Sequence, residues 1–294
     1  MKLVRVGSRE SALAVRQAMI VMDAVTACDP SVRTRLVTMT TTGDKRQDRP
    51  IEEIGGKGVF VKELEQALLD GEVDLCVHSL KDMAGEIDPR IPIRAMSVRE
   101  DPRDVLVLPL GARELDPALP VGCSSLRRRV QLQELYPGCR VEPVRGNVLT
   151  RLDKLDSGQY GALVLAAAGL IRLGLENRIS RRFSPVEMLP ACGQGILAVQ
   201  GRAGEPLDFL EGFHSADSWD AALAERAFTR ALEGGCTSPV TAYAEVHGER
   251  ICITGYAVDA AGNMLPGAIR GDRARAGELG EMLANNLRRE AQGG

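Results

Sequence analysis

Residues 91–108 read IPIRAMSVREDPRDVLVL, and this stretch decides the fold. Ile91–Val98 and Val105–Leu108 read as two short strands. The link between them, Arg99-Glu100-Asp101-Pro102-Arg103, is polar and carries a proline. It is the first candidate crossover from one α/β unit to another. Leu189-Pro190-Ala191-Cys192-Gly193-Gln194-Gly195 is the candidate for the return.

On either side of the first link, strand and helix alternate. Lys2–Val6 is a strand, punctuated by Gly7-Ser8. Ala14, Ala18, Val21 and Val25 recur at helical spacing and predict a helix from about Ser11 to Ala27. Arg33–Thr40 is a strand. Thr41–Gly58 is a long polar, glycine-rich loop of the kind used as lids or left disordered. Phe60, Leu64, Ala67 and Leu68 mark a helix ending near Gly71, followed by the strand Val73–His78 and the loop Ser79–Glu86. Beyond the first crossover, Val121-Gly122 leads into a helix, Ser124–Tyr136. A strand (Arg140–Val144), a helix (Asn147–Leu155), a buried strand (Ala162–Ala166) and a helix from about Gly169 follow.

The last part changes character. Asp217–Leu232 is a helix with Trp219, Leu223 and Ala227 on one face. Val240–Val246, Ile251–Ala257 and Met264–Arg270 are consecutive strands, and Ala276–Arg289 is a final helix. The expected fold is α/β: two domains resembling periplasmic binding proteins with a ligand cleft between them, plus a small C-terminal α+β domain with a three-stranded antiparallel sheet. The expected limits are 1–98 with 194–213 for the first domain, 103–189 for the second and 216–294 for the third.

Composition narrows the function. The chain has 294 residues and a net charge of −3, with 3% aromatic residues. Proteins that bind nucleic acid generically are basic, and single-strand binders stack bases on aromatic rings, so neither class fits. No apolar run reaches the roughly 18 residues of a membrane span. Seven cysteines without a CxxC pair suggest neither a disulfide framework nor a zinc site, and the cytoplasm is the expected compartment.

The candidate chemistry lies at strand-to-helix turns, where free backbone N–H groups and the helix dipole favour an anion. Gly7-Ser8-Arg9-Glu10-Ser11 is one such turn; its plainer reading is an ordinary cap at Ser11 and a surface arginine at Arg9. Gly122-Cys123-Ser124-Ser125-Leu126-Arg127-Arg128-Arg129 is another. Adjacent helical residues are about 100° apart, so two arginines are expected to turn inward and one outward. Cations are disfavoured at a helix start, so this cluster needs a compensating anion. Arg145, Arg151 and Arg172 flank further turns, and guanidinium groups suit a ligand with several carboxylates. Asp82 stands beside Lys81 after His78-Ser79-Leu80 and could stabilise a cation or move a proton, or merely shape a turn. His78 reads as a buried or capping histidine. Glu233-Gly234-Gly235-Cys236 puts a cysteine in a glycine-flanked loop, as a reachable thiol or an idle one.

Taken in order, these segments closely resemble the porphobilinogen deaminase family, over about Val4 to Ala244. The match includes Gly7–Ala14, Gly55-Gly56-Lys57-Gly58 with Phe60-Val61-Lys62-Glu63-Leu64, and His78–Asp82. It continues through Ser124–Arg128, Arg145–Val148, Leu189–Gly195 and Glu233–Cys236. The resemblance implies a dipyrromethane cofactor bound to Cys236 by a thioether, and porphobilinogen as the substrate. It implies Asp82 as the catalytic residue. Lys81, Ser79, Ser124, Ser125, Arg127, Arg128 and Arg151 are implied to hold the cofactor, and Arg9, Ser11, Arg145, Arg151 and Arg172 to bind substrate or chain carboxylates. No metal, nucleic acid or membrane is expected, and the chain is expected to be monomeric.

Three departures from the family pattern stand out. Cys123 occupies a place where threonine is common, Glu53 replaces a lysine of some members, and Met83-Ala84 lacks the proline that often follows Lys-Asp. The main rival reading is a non-catalytic binding protein for a small polycarboxylate. It leaves the Gly-Gly-Cys loop and the third domain unexplained.

Overall fold

The computed structural model describes residues 2–45, 61–232, 239–259 and 262–293. Cys236, Glu53, Phe60 and the Gly55–Gly58 turn lie outside them. In chain order the elements begin β1 (Lys2–Arg9), α1 (Ala12–Cys28), β2 (Val32–Met39), α2 (Thr42–Lys45), α3 (Lys62–Leu69), β3 (Leu75–Ser79) and β4 (Ile93–Met96). Next come β5 (Asp104–Val107), β6 (Val121–Gly122), α4 (Leu126–Leu135), β7 (Val141–Glu142), α5 (Val148–Asp156), β8 (Ala162–Ala166), α6 (Ala167–Arg172) and β9 (Arg181–Arg182). The last are β10 (Leu197–Gly201), α7 (Ala216–Ala231), β11 (Thr241–His247), β12 (Arg250–Val258), β13 (Met264–Asp272) and α8 (Ala276–Gly293).

These elements build two five-stranded sheets, ordered β2-β1-β3-β10-β4 and β7-β6-β8-β5-β9, and a three-stranded sheet, β11-β12-β13. Both larger sheets share one plan: second strand, first strand, third strand, a crossing strand, then a last one. β10 runs antiparallel to β3, and β5 antiparallel to β8. The chain therefore passes between the two larger sheets twice, between β4 and β5 and between β9 and β10, where the two links were expected. The two larger sheets are mixed α/β sheets and the C-terminal one is three-stranded and antiparallel, as the sequence predicted. The described chain divides into two compact units, Met1–Glu100 with Ile196–Trp219, and Asp101–Gly195 with Asp220–Gly294.

In the first unit, Val4 and Val6 of β1, Leu75 and Val77 of β3 and Val199 of β10 pack on Ala18, Val21 and Val25 of α1. In the second, Val105, Val107, Leu163 and Leu165 pack on Leu152 and Leu155 of α5. The C-terminal sheet covers its apolar face with α7 and α8 through Phe228, Ile251, Ile253, Leu283 and Leu287.

Three expectations need correction. β1 does not stop at Gly7-Ser8 but runs to Arg9, pairing Gly7 with Val37 and Arg9 with Met39. A Cβ on Gly7 would lie 3.2 Å from the Cys76 Sγ, so this glycine marks a close approach, not a turn. On α7 Ala227 is buried as expected, but the packed face also takes Ala221, Ala224 and Phe228, while Trp219 is half-buried and Leu223 is 44% exposed. The helix is alanine-rich, and the contact is set by closeness: a Cβ on Gly280 of α8 would collide with the Ala224 carbonyl. Finally, β9 was not foreseen, because Arg181-Arg182 has no apolar pattern; it edges the second sheet by pairing with Val105 and Leu106.

Candidate functional site

In the first unit β1 and β3 are parallel neighbours, so their C-terminal ends open on one edge. Arg9 ends β1 and is half-buried. Ser11 caps α1, accepting from the Ala14 amide at 3.3 Å. Ser79 ends β3, and its hydroxyl lies 3.0 Å from Nε2 of the buried Gln17 on α1. Leu80–Asp82 then forms one 3₁₀ turn, closed by the Met83 amide donating to the Leu80 carbonyl at 3.1 Å. Leu80 and Met83 are buried anchors at either end. Between them Lys81 is half-buried and Asp82 exposed, with no ion-pair partner for its carboxylate among the described residues. Met83 thus fills the departure from the family pattern with a buried side chain.

His78 precedes this turn and is 6% exposed, as expected for a core histidine. Burial, with a smaller push from the Arg9 charge, lowers its pKa from 6.5 to about 4. The folded chain keeps His78 neutral while the unfolded chain takes up a proton below pH 6.5. Stability is therefore full above 6.5 and falls as the pH drops through 4, by about 3 kcal/mol in total. His78→Asn should flatten that part of a stability-against-pH curve measured by urea unfolding.

In the second unit β7 and β8 both run parallel to β6, so three strand-to-helix turns open on one edge. After β6, the Ser124 hydroxyl donates to the Val144 carbonyl at 2.7 Å and accepts from the Val144 amide at 3.0 Å. Ser125 caps α4, accepting from the Arg128 amide at 3.5 Å. Cys123 is buried, with its thiol 3.7 Å from the Ser125 carbonyl. Past β7, Asn147 caps α5 by accepting from Thr150, Arg151 Nε donates to the Gly146 carbonyl at 2.8 Å, and Arg145 is half-buried. Arg172, at the end of α6, donates to the Gly195 carbonyl at 2.6 Å. Its guanidinium is engaged with the return link.

Arg127 and Arg128 turn inward, 5% and 8% exposed, while Arg129 is half-buried. Among the described residues, the anion that offsets them is Asp104, 0% exposed at the start of β5. Arg127 Nη2 lies 2.7 Å from Oδ2, and Arg128 Nη2 lies 2.7 Å from Oδ1. Burial alone would raise the Asp104 carboxyl, but the two guanidinium charges hold it at about 2. Arg127 also donates to the Leu189 carbonyl, and the Gln131 amide brackets Leu189, accepting from its N–H at 2.6 Å and donating to its carbonyl at 3.2 Å. The motifs had suggested a ligand as the compensating anion. Asp104, Gln131 and the bonding role of Gln194 were missed, although an acidic residue heading the apolar run Val105–Leu108 was a usable signal.

Two sheets of one strand plan, with basic and hydroxyl side chains at their strand-to-helix turns, define an α/β protein. Comparison with known proteins gives the family. Residues 4–207 match the dipyrromethane cofactor-binding domain of porphobilinogen deaminase, and residues 219–289 match its C-terminal domain. Porphobilinogen deaminase of Acetivibrio thermocellus is 57% identical over 97% of this chain and 97% of its own. That of Alkaliphilus oremlandii is 53% identical over 98% and 97%. A solved periplasmic binding protein of Salmonella typhimurium aligns with 72% of this chain and 90% of its own, at 14% identity and a TM-score of 0.40. The chain belongs to the porphobilinogen deaminase family. It is an enzyme of tetrapyrrole biosynthesis with a dipyrromethane cofactor-binding domain. No helix among the described residues is long and apolar enough to cross a membrane.

Proposed function

We propose that the chain acts as a hydroxymethylbilane synthase: it joins four porphobilinogen molecules head to tail, with loss of ammonia at each addition, and frees the linear product by hydrolysis. The match of residues 4–207 to the dipyrromethane cofactor-binding domain carries this reading. Cys236 is the proposed attachment point, by a thioether that persists through turnover. When bound, the cofactor supplies the pyrrole carbon to which the first new ring is joined.

The donor set fits such a group. Pyrrole rings bearing acetate and propionate are polyanionic, and the chain offers Lys81, Ser79, Ser124, Ser125, Arg127, Arg128 and Arg151 to hold them. Arg127 and Arg128 share one carboxylate, so that cluster keeps a net positive charge. Arg9, Ser11, Arg145, Arg151 and Arg172 would take carboxylates of the substrate or the growing chain. The exposed Asp82 would stabilise the cation left when ammonia departs and hold pyrrole N–H protons. Three domains with limits 1–98 plus 194–213, 103–189 and 216–294 suit these roles, since each range holds the strands of one sheet. A monomer in the cytoplasm, without nucleic acid, completes the proposal.

The test is stoichiometric. Incubation with porphobilinogen should release four ammonia per bilane formed. Binding of porphobilinogen without ammonia release would favour the non-catalytic polycarboxylate-binding alternative.

A further inference from the structure

Asp104 is more than a counter-ion. Its Oδ2 accepts from Arg127 Nη2 at 2.7 Å, and its Oδ1 accepts from Arg128 Nε at 2.9 Å, Arg128 Nη2 at 2.7 Å and Gln194 Nε2 at 2.9 Å. A carboxylate offers about four lone-pair sites. Oδ1 is fully engaged, Oδ2 holds Arg127, and the group is 0% exposed, so the carboxylate is committed to its neighbours inside the protein. The same Gln194 amide donates to the Pro102 carbonyl at 2.6 Å. One side chain of the return link therefore holds the first link and the carboxylate together. Arg128 Nη1 adds a bond to the Val164 carbonyl of β8 at 3.1 Å, and the Tyr256 hydroxyl reaches the Arg127 carbonyl at 3.3 Å.

Stability is a weak reason for such a cluster. Buried ion pairs are often matched or bettered by apolar residues of similar volume, because desolvating the charges costs as much as their attraction returns. Geometry is the stronger reason. A fully buried carboxylate held by four hydrogen bonds fixes the guanidinium planes of two adjacent arginines at the start of α4, next to Ser124 and Ser125. We propose that Asp104 is a positioning residue for the reaction: it sets the orientation of Arg127 and Arg128, and Gln194 registers that orientation to both links. The inference rests on the proposed role of the α4 N-terminal residues in holding the cofactor.

Two variants separate charge from position. Asp104→Glu keeps the charge but lengthens the side chain by one methylene, and Asp104→Asn keeps the length but removes the charge. Each full-length chain would be assayed for melting temperature, for the fraction carrying a dipyrrole-sized mass adduct, and for KM and kcat on porphobilinogen. Asp104→Glu is expected to stay folded at the assay temperature. Displacing the arginines by one bond length should lower kcat/KM by about 100-fold and reduce adduct occupancy. Asp104→Asn should lower the melting temperature more. A folded Asp104→Glu chain with parental kcat/KM and adduct would overturn the proposal. If neither variant folds, Gln194→Met decides, since it leaves the three charges in place. A raised KM with unchanged kcat supports registration, and a parental KM overturns it. A parent chain with neither adduct nor turnover would overturn the functional reading itself, and this proposal with it.

Discussion

Asp82→Asn is expected to leave the fold intact and to reduce porphobilinogen turnover by about 100- to 10,000-fold. The fold should survive because Asp82 is exposed and has no ion-pair partner among the described residues. The 3₁₀ turn around it is held by others: buried Leu80, whose amide donates to the Ile196 carbonyl at 3.0 Å, and buried Met83. Asparagine fits the same space and preserves that turn. It cannot carry the negative charge that steadies a developing cation, nor can it take up a proton. Steady-state turnover with a thermal melt as control checks both halves. Near-parental turnover would remove Asp82 from the chemistry, and a collapsed fold would make it structural.

Glu225→Ala should destabilise the second unit by about 4 kcal/mol, since leaving buried donors unsatisfied costs about 1–3 kcal/mol each. Glu225 lies on α7 and is 0% exposed. Its carboxylate accepts from the Gly193 amide at 2.7 Å and from the Ala244 amide at 2.8 Å. It thereby fixes both the return link and the first strand of the C-terminal sheet to the helix preceding residues 233–238. Thr241 supports the same junction, donating to the Pro190 carbonyl at 2.7 Å. Alanine removes both acceptors at once and leaves a cavity. Glu225→Gln retains one acceptor oxygen and should cost less. Urea unfolding of the two variants beside the parent checks the ordering. A Glu225→Ala chain as stable as the parent would show that these two bonds carry little of the C-terminal packing.

Much of this architecture was legible in local pattern. Valine and alanine at helical spacing announced α1, and the apolar run Ala162–Ala166 matched β8 end for end. The proline-bearing link at 99–103 and the glycine-rich segment at 189–195 marked the two passages between the larger sheets. What stayed hidden was decided by partners far along the chain. Gly7 looked like punctuation because its use, letting Cys76 come close, depends on a strand some seventy residues away. The full buried face of α7 was blurred by alanines on several sides of the helix, and the close approach of Gly280 to Ala224 depends on α8, far along the chain. Arg127 and Arg128 were recognised as inward-facing cations, but their anion, Asp104, sits on a strand more than twenty residues earlier and bears no fixed spacing to them. The residues at strand ends, Arg9, Ser79, Lys81 and Asp82, were legible because strand-to-helix turns in an α/β fold put their side chains on one edge.

The central claim is that this chain carries a covalent dipyrrole on Cys236 and builds on it. Intact-mass measurement of the purified full-length chain, beside Cys236→Ser, tests it most directly. The parent should be heavier than its sequence mass by one dipyrromethane, should gain further pyrrole units on brief exposure to porphobilinogen, and the serine variant should show neither. A parent at its bare sequence mass that does not consume porphobilinogen, or an adduct that persists in Cys236→Ser, would contradict the account.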